Sequence, residues 1–175
     1  MSIDKDRTVC FSGYRPDKFP FSLKDTTCEE YSSLLRDINA AIIEAFELGY
    51  RNFLCGMGRG FDLLCAKAVL DIRKDAKYDC IKLVAVLPFR KHKFSGEWGK
   101  LHRSTRDSAD SEICITENGY TPKSYRLRND YMINNSSRII CYWSGTSGGT
   151  AYTVRLAKKC GLTIHNISGC PIDTN

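Results

Sequence analysis

The sequence predicts an α/β fold: a doubly wound parallel sheet with helices on both of its faces. Short apolar segments rich in β-branched residues alternate with longer segments whose apolar residues keep helical spacing, and this alternation is typical of a parallel sheet. The 175 residues, of which 42% are hydrophobic and 26% charged, suffice for one domain with its own core. We find no internal repeat, linker or low-complexity segment, so residues 1–175 are expected to form a single domain.

The chain begins with a predicted strand and a long predicted helix. Residues 8–13, TVCFSG, are apolar and β-branched at their start, as expected of a buried strand. Thr27 and Glu30 have the spacing of a capping box, in which each side chain bonds the other residue's backbone N–H at the start of a helix. Apolar residues then keep helical spacing as far as Gly49, which is expected to end the helix.

The middle of the chain alternates in the same way. The segment NFLCG at 52–56 predicts a second strand, and FDLLCAKAVLDIR at 61–73 predicts a second helix. The run IKLVAVLP at 81–88 is continuously apolar up to its proline, which is typical of a strand covered on both faces. A more polar segment at 93–109, with scattered apolar residues, predicts a third helix.

The last part of the chain completes the predicted sheet. Strands are expected at 111–116 (SEICIT), 138–143 (RIICYW) and 162–167 (LTIHNI). Helices are expected at 124–135 and at 151–160. A helix therefore separates each predicted strand from the next, as a parallel sheet requires.

The composition narrows the classes of partner. The formal net charge is +6, which favours anionic partners, either phosphorylated small molecules or nucleic acid. No apolar run approaches the roughly 20 residues that span a bilayer, and the charged N-terminal segment lacks the apolar stretch of a secretory signal, so we expect a cytoplasmic protein without a membrane partner. The cysteines form no CxxC pair and the histidines have no ligand-like spacing to a cysteine, so no metal site is expected. We expect no cofactor either.

Three predicted strands end in loops suited to binding an anion. These loops are SGYRP at 12–16, CGMGRGFD at 55–62 and SGTSGGT at 144–150. Ligands of such sheets bind outside the carboxyl ends of the strands. The two glycine-rich loops lead directly into helices, whose first N–H groups lack internal partners and carry partial positive charge. Glycine also lets the backbone approach the ligand closely, so a phosphate or ribose phosphate is the expected occupant.

The predicted ligand-binding residues come from these loops and from the helix YRLRND. Arg15 and Arg59 are the best phosphate candidates, because a guanidinium offers a forked set of donors. On a helix, Arg128 shares a face with Tyr125 and Met132. The full predicted set is Ser12, Gly13, Arg15, Gly56, Gly58, Arg59, Gly60, Asp62, Arg128, Asn129, Ser147, Gly148, Gly149 and Thr150.

Other nucleotide and nucleophile motifs do not fit these loops. The segment GMGRGF has Phe61 where GxGxxG needs its third glycine, and the chain has no GxxxxGK[ST] loop. Residues 145–149 match the GxSxG of a serine hydrolase, with Ser147 as the nucleophile. That fold needs an acid and then a histidine further along the chain, whereas here His165 precedes the last acid, Asp173.

The ordered set SGYRP, CGMGRGFD, YRLRND with Met132, and SGGT before the last helix resembles the YpsA-like branch of the SLOG superfamily. The resemblance runs from about residue 8 to residue 167. The superfamily also includes the LOG phosphoribohydrolases and the DprA DNA-processing proteins. The resemblance implies a Rossmann-like domain that binds or senses a nucleotide-derived ligand, either ADP-ribose-like or a nucleoside phosphate, and that forms a homo-oligomer.

The LOG pattern PGGxGTxxE tests whether such a ligand is also hydrolysed. Gly149 and Thr150 match its GT, but Thr153 occupies the position of the catalytic glutamate. Asp62 or Asp130 is a possible replacement for this glutamate, and Asp62 and Arg128 are the catalytic candidates. Three functions therefore stay open: a nucleotide binder or sensor, a nucleotide N-glycosidase of the phosphoribohydrolase kind, and nucleic-acid binding like that of DprA.

Overall fold

The structure, a computed structural model, describes residues 3–117 and 119–172 and consists there of six strands and five α-helices. The strands are β1 Thr8–Gly13, β2 Asn52–Cys55, β3 Lys82–Leu87, β4 Ser111–Cys114, β5 Arg138–Tyr142 and β6 Thr163–Asn166. The helices are α1 Glu29–Glu47, α2 Phe61–Ile72, α3 Gly96–Asp107, α4 Ser124–Asn134 and α5 Gly149–Lys159. Each predicted element is present at its expected place in the chain.

The strands form one sheet in the order β4-β3-β2-β1-β5-β6, and all neighbouring pairs are parallel. The chain winds outward from β1 to β4, then crosses back so that β5 pairs with the other side of β1. In this register Ser12 lies opposite Cys141, and Gly13 lies opposite Tyr142. The direction of winding thus reverses between β1 and β5, and a crevice at such a point is where open α/β sheets bind ligands.

Helices cover both faces of the sheet, because alternate strand residues point to opposite sides. Val9 and Phe11 of β1 belong to a core formed with α1 and α2, whereas Cys10 packs into a second core with α4 and α5. Partly buried residues of α3, among them Trp98, add to the first core. The predicted doubly wound parallel sheet with helices on both faces is confirmed.

The predicted capping box at the start of α1 is wrong. The Thr27 hydroxyl donates to Asp25 Oδ1 at 2.7 Å, and the Thr27 N–H bonds the same oxygen at 3.1 Å. Helix α1 begins at Glu29, after Cys28, which makes no side-chain capping bond. These two hydrogen bonds to Asp25 form a local turn, and this turn competes with the hydrogen bonds of a capping box.

Three further properties concern the part of the chain that the structure describes. None of its helices is both long enough and apolar enough to cross a bilayer. Across residues 3–117 and 119–172, no three His, Cys, Asp or Glu side chains are grouped to hold a metal ion. All nine cysteines are free thiols, and Cys80 is exposed, unlike the buried Cys10, Cys55, Cys65 and Cys141.

Candidate functional site

A cleft opens at the carboxyl ends of β1 and β2, beside the first turn of α5. The predicted residues that line it are Ser12, Gly13, Arg15, Gly58, Arg59, Asp62, Arg128, Asn129, Gly149 and Thr150. Gly56, Gly60, Ser147 and Gly148, also predicted as ligand-binding residues, do not line it. The cleft is also lined by four residues that were not in the predicted set, Lys18, His92, Phe94 and Tyr125.

Gly56 and Gly60 shape the second loop instead of facing the cleft. A Cβ atom on Gly56 would overlap the Arg128 guanidinium, so only glycine admits that side chain against the end of β2. Gly60, at the N-cap of α2, has φ of 87°, and a Cβ there would lie 2.5 Å from the Tyr14 carbonyl oxygen. Their role is therefore to let other groups pack closely.

Arg128 and Asp62 form a buried pair in the wall of the cleft. Arg128 Nη1 donates to the carbonyl oxygen of Gly56 and lies 3.9 Å from Asp62 Oδ2, and Nε donates to Asn129 Oδ1 at 2.8 Å. Asp62 Oδ2 also accepts the Gly58 N–H at 3.3 Å. The pair ties α4 to the glycine-rich loop after β2.

Burial shifts the pKa of both members of this pair. Burial raises the pKa of Asp62, although the positive charge of Arg128 opposes the shift. Burial likewise lowers the pKa of Arg128, against the attraction of Asp62.

One nitrogen of Arg128 is left for a ligand. Among the described residues Arg128 Nη2 has no hydrogen-bond partner, so this nitrogen is available to an anion in the cleft.

Three further cations stand at the cleft without neutralising carboxylates. Arg15, Lys18 and Arg59 are exposed, and none makes an ion pair with the part of the chain that the structure describes. The Arg15 guanidinium lies 5.5 Å from the Tyr125 ring centre, and that of Arg59 lies 5.4 Å from the Phe94 ring centre. These contacts hold both arginines over aromatic faces at the opening of the cleft.

Helix α5 presents its first turn to the same cleft. It begins at Gly149, after Gly148 with φ of 133°, and no side chain caps it. A Cβ on Gly149 would meet nothing within 4 Å, so the first turn faces open space. The Thr150 hydroxyl is already engaged, since it donates to the Gly13 carbonyl oxygen at 3.1 Å. The free N–H groups of this turn, rather than the hydroxyl, are the donors offered to a ligand.

Tyr14 fixes the loop before α5 against the end of β1. Its phenol oxygen accepts the Ser144 N–H at 2.9 Å and lies 2.6 Å from the Thr146 hydroxyl. Burial raises the pKa of Tyr14, but the hydrogen bonds to Ser144 and Thr146 outweigh it and lower that pKa overall.

The residues of the serine-hydrolase motif do not come together. Ser147, the candidate nucleophile, is exposed and lies outside the cleft. The His165 ring contacts Glu44 at 3.1 Å.

Thr153 replaces the glutamate of the LOG pattern with a hydroxyl that already has partners. It is fully buried, donates to the Gly149 carbonyl oxygen at 2.9 Å and accepts from Asn129 Nδ2 at 2.8 Å. Asn129 is thereby held between Thr153 and Arg128 at the edge of the cleft. Among the residues lining the cleft, the carboxyl group is that of Asp62.

The sequence interpretation missed an aromatic wall formed by His92, Phe94 and Tyr125. The His92 ring centre lies 4.9 Å from that of Phe94 and 5.9 Å from that of Tyr125. Burial lowers the pKa of His92 to about 3, and nearby His102 and Arg128 add to the shift. A signal was present, because β3 ends at Leu87 and the segment after it lies at the same sheet edge as the glycine loops.

Comparison with known proteins assigns a family and a fold. The family model YpsA, described as the YspA SLOG family, matches residues 9–167. No curated protein sequence matches the chain. The solved structure of DNA processing protein A (DprA) from Streptococcus pneumoniae is similar, with a TM-score of 0.59 and 18% identity over 91% of this chain and 49% of that one. This chain thus spans about half the length of that protein.

A second DNA processing protein A, from Helicobacter pylori, is similar over 99% of this chain and 69% of its own length. Its TM-score is 0.61 and its identity is 19%. That protein has a unique single-stranded DNA binding mode. At such identities the two similarities establish a shared fold.

Proposed function

This chain belongs to the YspA SLOG family, and we propose that it binds a nucleotide-derived ligand, a nucleoside phosphate or an ADP-ribose-like molecule, in the cleft beside α5. The phosphates would lie at the first turn of α5, among Arg15, Lys18 and Arg59. The ring system would lie against Phe94 and Tyr125. We further infer that the protein acts in the cytoplasm and that it forms a homo-oligomer. Light scattering in solution tests the oligomeric state.

The observation that carries this proposal is the unneutralised positive charge at the cleft. Some surface cations, such as Arg36, Arg90 and Arg106, are paired with carboxylates at 2.5–2.6 Å. Arg15 and Arg59 instead lie over aromatic rings beside the uncapped first turn of α5. Unpaired cations near free N–H groups favour a polyanionic ligand, because the two attractions act at the same place.

The aromatic wall suits the ring of a nucleotide. Phe94 and Tyr125 line the cleft together with these cations. A base stacked on either ring would keep its phosphates within the same cleft. Base stacking on aromatic side chains tolerates different bases, which fits a site whose recognition rests mainly on phosphate.

Thermal unfolding with a panel of AMP, ADP-ribose, NAD and cyclic nucleotides tests the proposal. A ligand present at about 100 times its dissociation constant adds roughly 2.7 kcal/mol to the free energy of unfolding, which raises the melting temperature measurably. Arg59→Gln should reduce the shift, whereas Arg36→Gln, with the same change of charge at a distant paired arginine, should not. A panel without any shift would contradict the proposal.

Single-stranded nucleic acid is the second candidate ligand. The net charge of +6, the similarity to a protein that binds single-stranded DNA, and a cleft that combines cations with aromatic rings favour it. Fluorescence anisotropy with a labelled oligothymidine provides the test. Binding that weakens steeply with salt and tolerates any sequence would support nucleic acid, whereas a thermal shift with mononucleotides and no oligonucleotide binding would favour the first proposal.

Asp62 favours a further possibility, in which the bound nucleotide is also hydrolysed at its N-glycosidic bond. It is a buried carboxyl group with a raised pKa in the cleft, and such groups are candidates for acid–base catalysis. Chromatography of each nucleotide after incubation would detect a released base or ribose phosphate. Loss of that product in Asp62→Asn, with the fold retained, would assign the reaction to this carboxyl group, whereas intact ligand would indicate binding alone.

A further inference from the structure

A second cavity adjoins the cleft across the segment between β3 and α3. His92 and Phe94 line both cavities, so the two share a wall. The second cavity is also lined by Lys93, His102 and Arg103. It lies on the side of the wall formed by α3 and contains none of the glycine-loop residues that line the cleft.

Buried nitrogen atoms at this wall have no hydrogen-bond partner in the described residues. They are Nδ1 and Nε2 of His92 and Nε2 of His102, on side chains that are 2% and 3% exposed. The two imidazole rings have their centres 5.2 Å apart. A neutral imidazole carries one N–H donor and one acceptor nitrogen. Buried polar atoms of this kind are almost always hydrogen-bonded, so their lack of partners calls for a ligand or a bound water.

Five charged side chains line the second cavity, where the three cations Lys93, Arg103 and Arg106 outnumber the two carboxylates Asp107 and Glu112. Lys93 and Arg103 are exposed and have no carboxylate partner among the described residues. Arg106 is different, since it is held by Glu112 at 2.8 Å. Free cations therefore continue past the shared wall, from Arg59 in the cleft to Arg103 in the second cavity.

We propose that the cleft and the second cavity are two halves of one binding site for a dinucleotide, in which two nucleoside units are joined through phosphate. One nucleoside lies against Tyr125, the linking phosphates lie near Arg59, and the second base enters beside His92 and His102. The inference rests on the proposed function, because the phosphates occupy the same cleft. It deepens that function by assigning a second base site to the cavity beside His92 and His102.

Isothermal titration calorimetry with three probes tests the inference. The probes are AMP, the 5′,5′-linked diadenosine pyrophosphate, and the 3′,5′-linked dinucleotide pApA. We expect at least one of the two dinucleotides to bind at least tenfold more tightly than AMP, and the better one identifies the linkage that the site accepts. Equal affinity for AMP and both dinucleotides would overturn the inference while leaving the proposed function intact. No binding by any of the three probes would also overturn the inference, and it would overturn the proposed function only if the whole nucleotide panel gave no thermal shift.

Variants in the second cavity locate the additional contact. Arg103→Gln should remove most of the advantage of the dinucleotide, and AMP, which occupies only the cleft, should keep its affinity within about twofold. His102→Phe should do the same, and Arg103, being exposed, provides the readout if the buried substitution prevents folding. Arg36→Gln is the control with the same change of charge. An unchanged dinucleotide advantage in Arg103→Gln and His102→Phe would overturn the assignment.

Discussion

Arg128 on α4 donates a hydrogen bond to the backbone carbonyl of Gly56 at the end of β2. This contact connects a helix on one face of the sheet to the glycine-rich loop that leads into a helix on the other face. Asp62, in the first turn of α2, lies beside the same guanidinium at 3.9 Å. An arginine predicted as a ligand contact is therefore also a structural element of the site, and its removal should affect folding as well as binding.

Arg128→Met should lower the free energy of unfolding by about 3 kcal/mol, because it leaves the buried Asp62 carboxyl group without its cation. Adding Asp62→Asn should recover part of this loss, since the neutral amide no longer needs a countercharge. Urea denaturation of the two single variants and the double variant measures the coupling. Strictly additive losses would show that the pair does not interact energetically.

Gly56→Ala should destabilise the protein by about 1–3 kcal/mol, because the new Cβ overlaps the Arg128 guanidinium and the packed loop cannot move away freely. Gly149→Ala is the matched control, since a Cβ at that position meets nothing within 4 Å. Its free energy of unfolding should stay within about 0.5 kcal/mol of the parent protein. Equal effects of the two substitutions in urea denaturation would contradict this account.

Gly149→Val should weaken nucleotide binding at least tenfold while leaving the melting temperature of the free protein nearly unchanged. The branched side chain would occupy the open space in front of the first turn of α5, where the phosphate is proposed to bind. Calorimetric titration with the best nucleotide of the panel measures the loss. Gly149→Ala is the control, because its smaller side chain should cause a smaller loss of nucleotide affinity. Gly161→Ala is unsuitable as a control, because the φ of 74° at Gly161 would strain alanine.

His92 should make the protein less stable as the pH falls below about 6.5. Burial lowers its pKa in the folded state to about 3, whereas the unfolded chain titrates near 6.5, so the unfolded state binds more protons between these values. From pH 7 to pH 5 the loss from this residue should be about 2 kcal/mol. His92→Phe, which keeps an aromatic ring among Phe89, Phe94 and Tyr125, should abolish that part of the pH dependence.

Urea denaturation at pH 7, 6 and 5 separates the His92 contribution from the titration of carboxylates, which dominates at lower pH. The difference in free energy of unfolding between His92→Phe and the parent protein should grow in favour of the variant as the pH falls. A constant difference across this range would mean that His92 titrates alike in both states. Its nitrogens would then be hydrogen-bonded in the folded state, for example to bound water.

The sequence by itself determined the order and type of the elements. The continuous apolar run of β3 predicted a strand covered on both faces, and the glycines after β2 and β5 marked the starts of α2 and α5. These properties are local, because hydrophobic spacing and backbone freedom are set by residues adjacent in the chain. For the same reason the resemblance to SLOG proteins, which rests on short motifs in order, agreed with the matched family.

The tertiary structure decided the contacts among the residues that the sequence had grouped into one predicted site. Pairing of β5 with β1 brought Gly149 beside Arg15, and the return of α4 placed Arg128 against Gly56, far away along the chain. The segment after β3 contributed His92 and Phe94, which no glycine motif marks. Strand order and the pairing of buried polar groups depend on contacts between distant segments, and their energies are not encoded in the periodicity of any one of them.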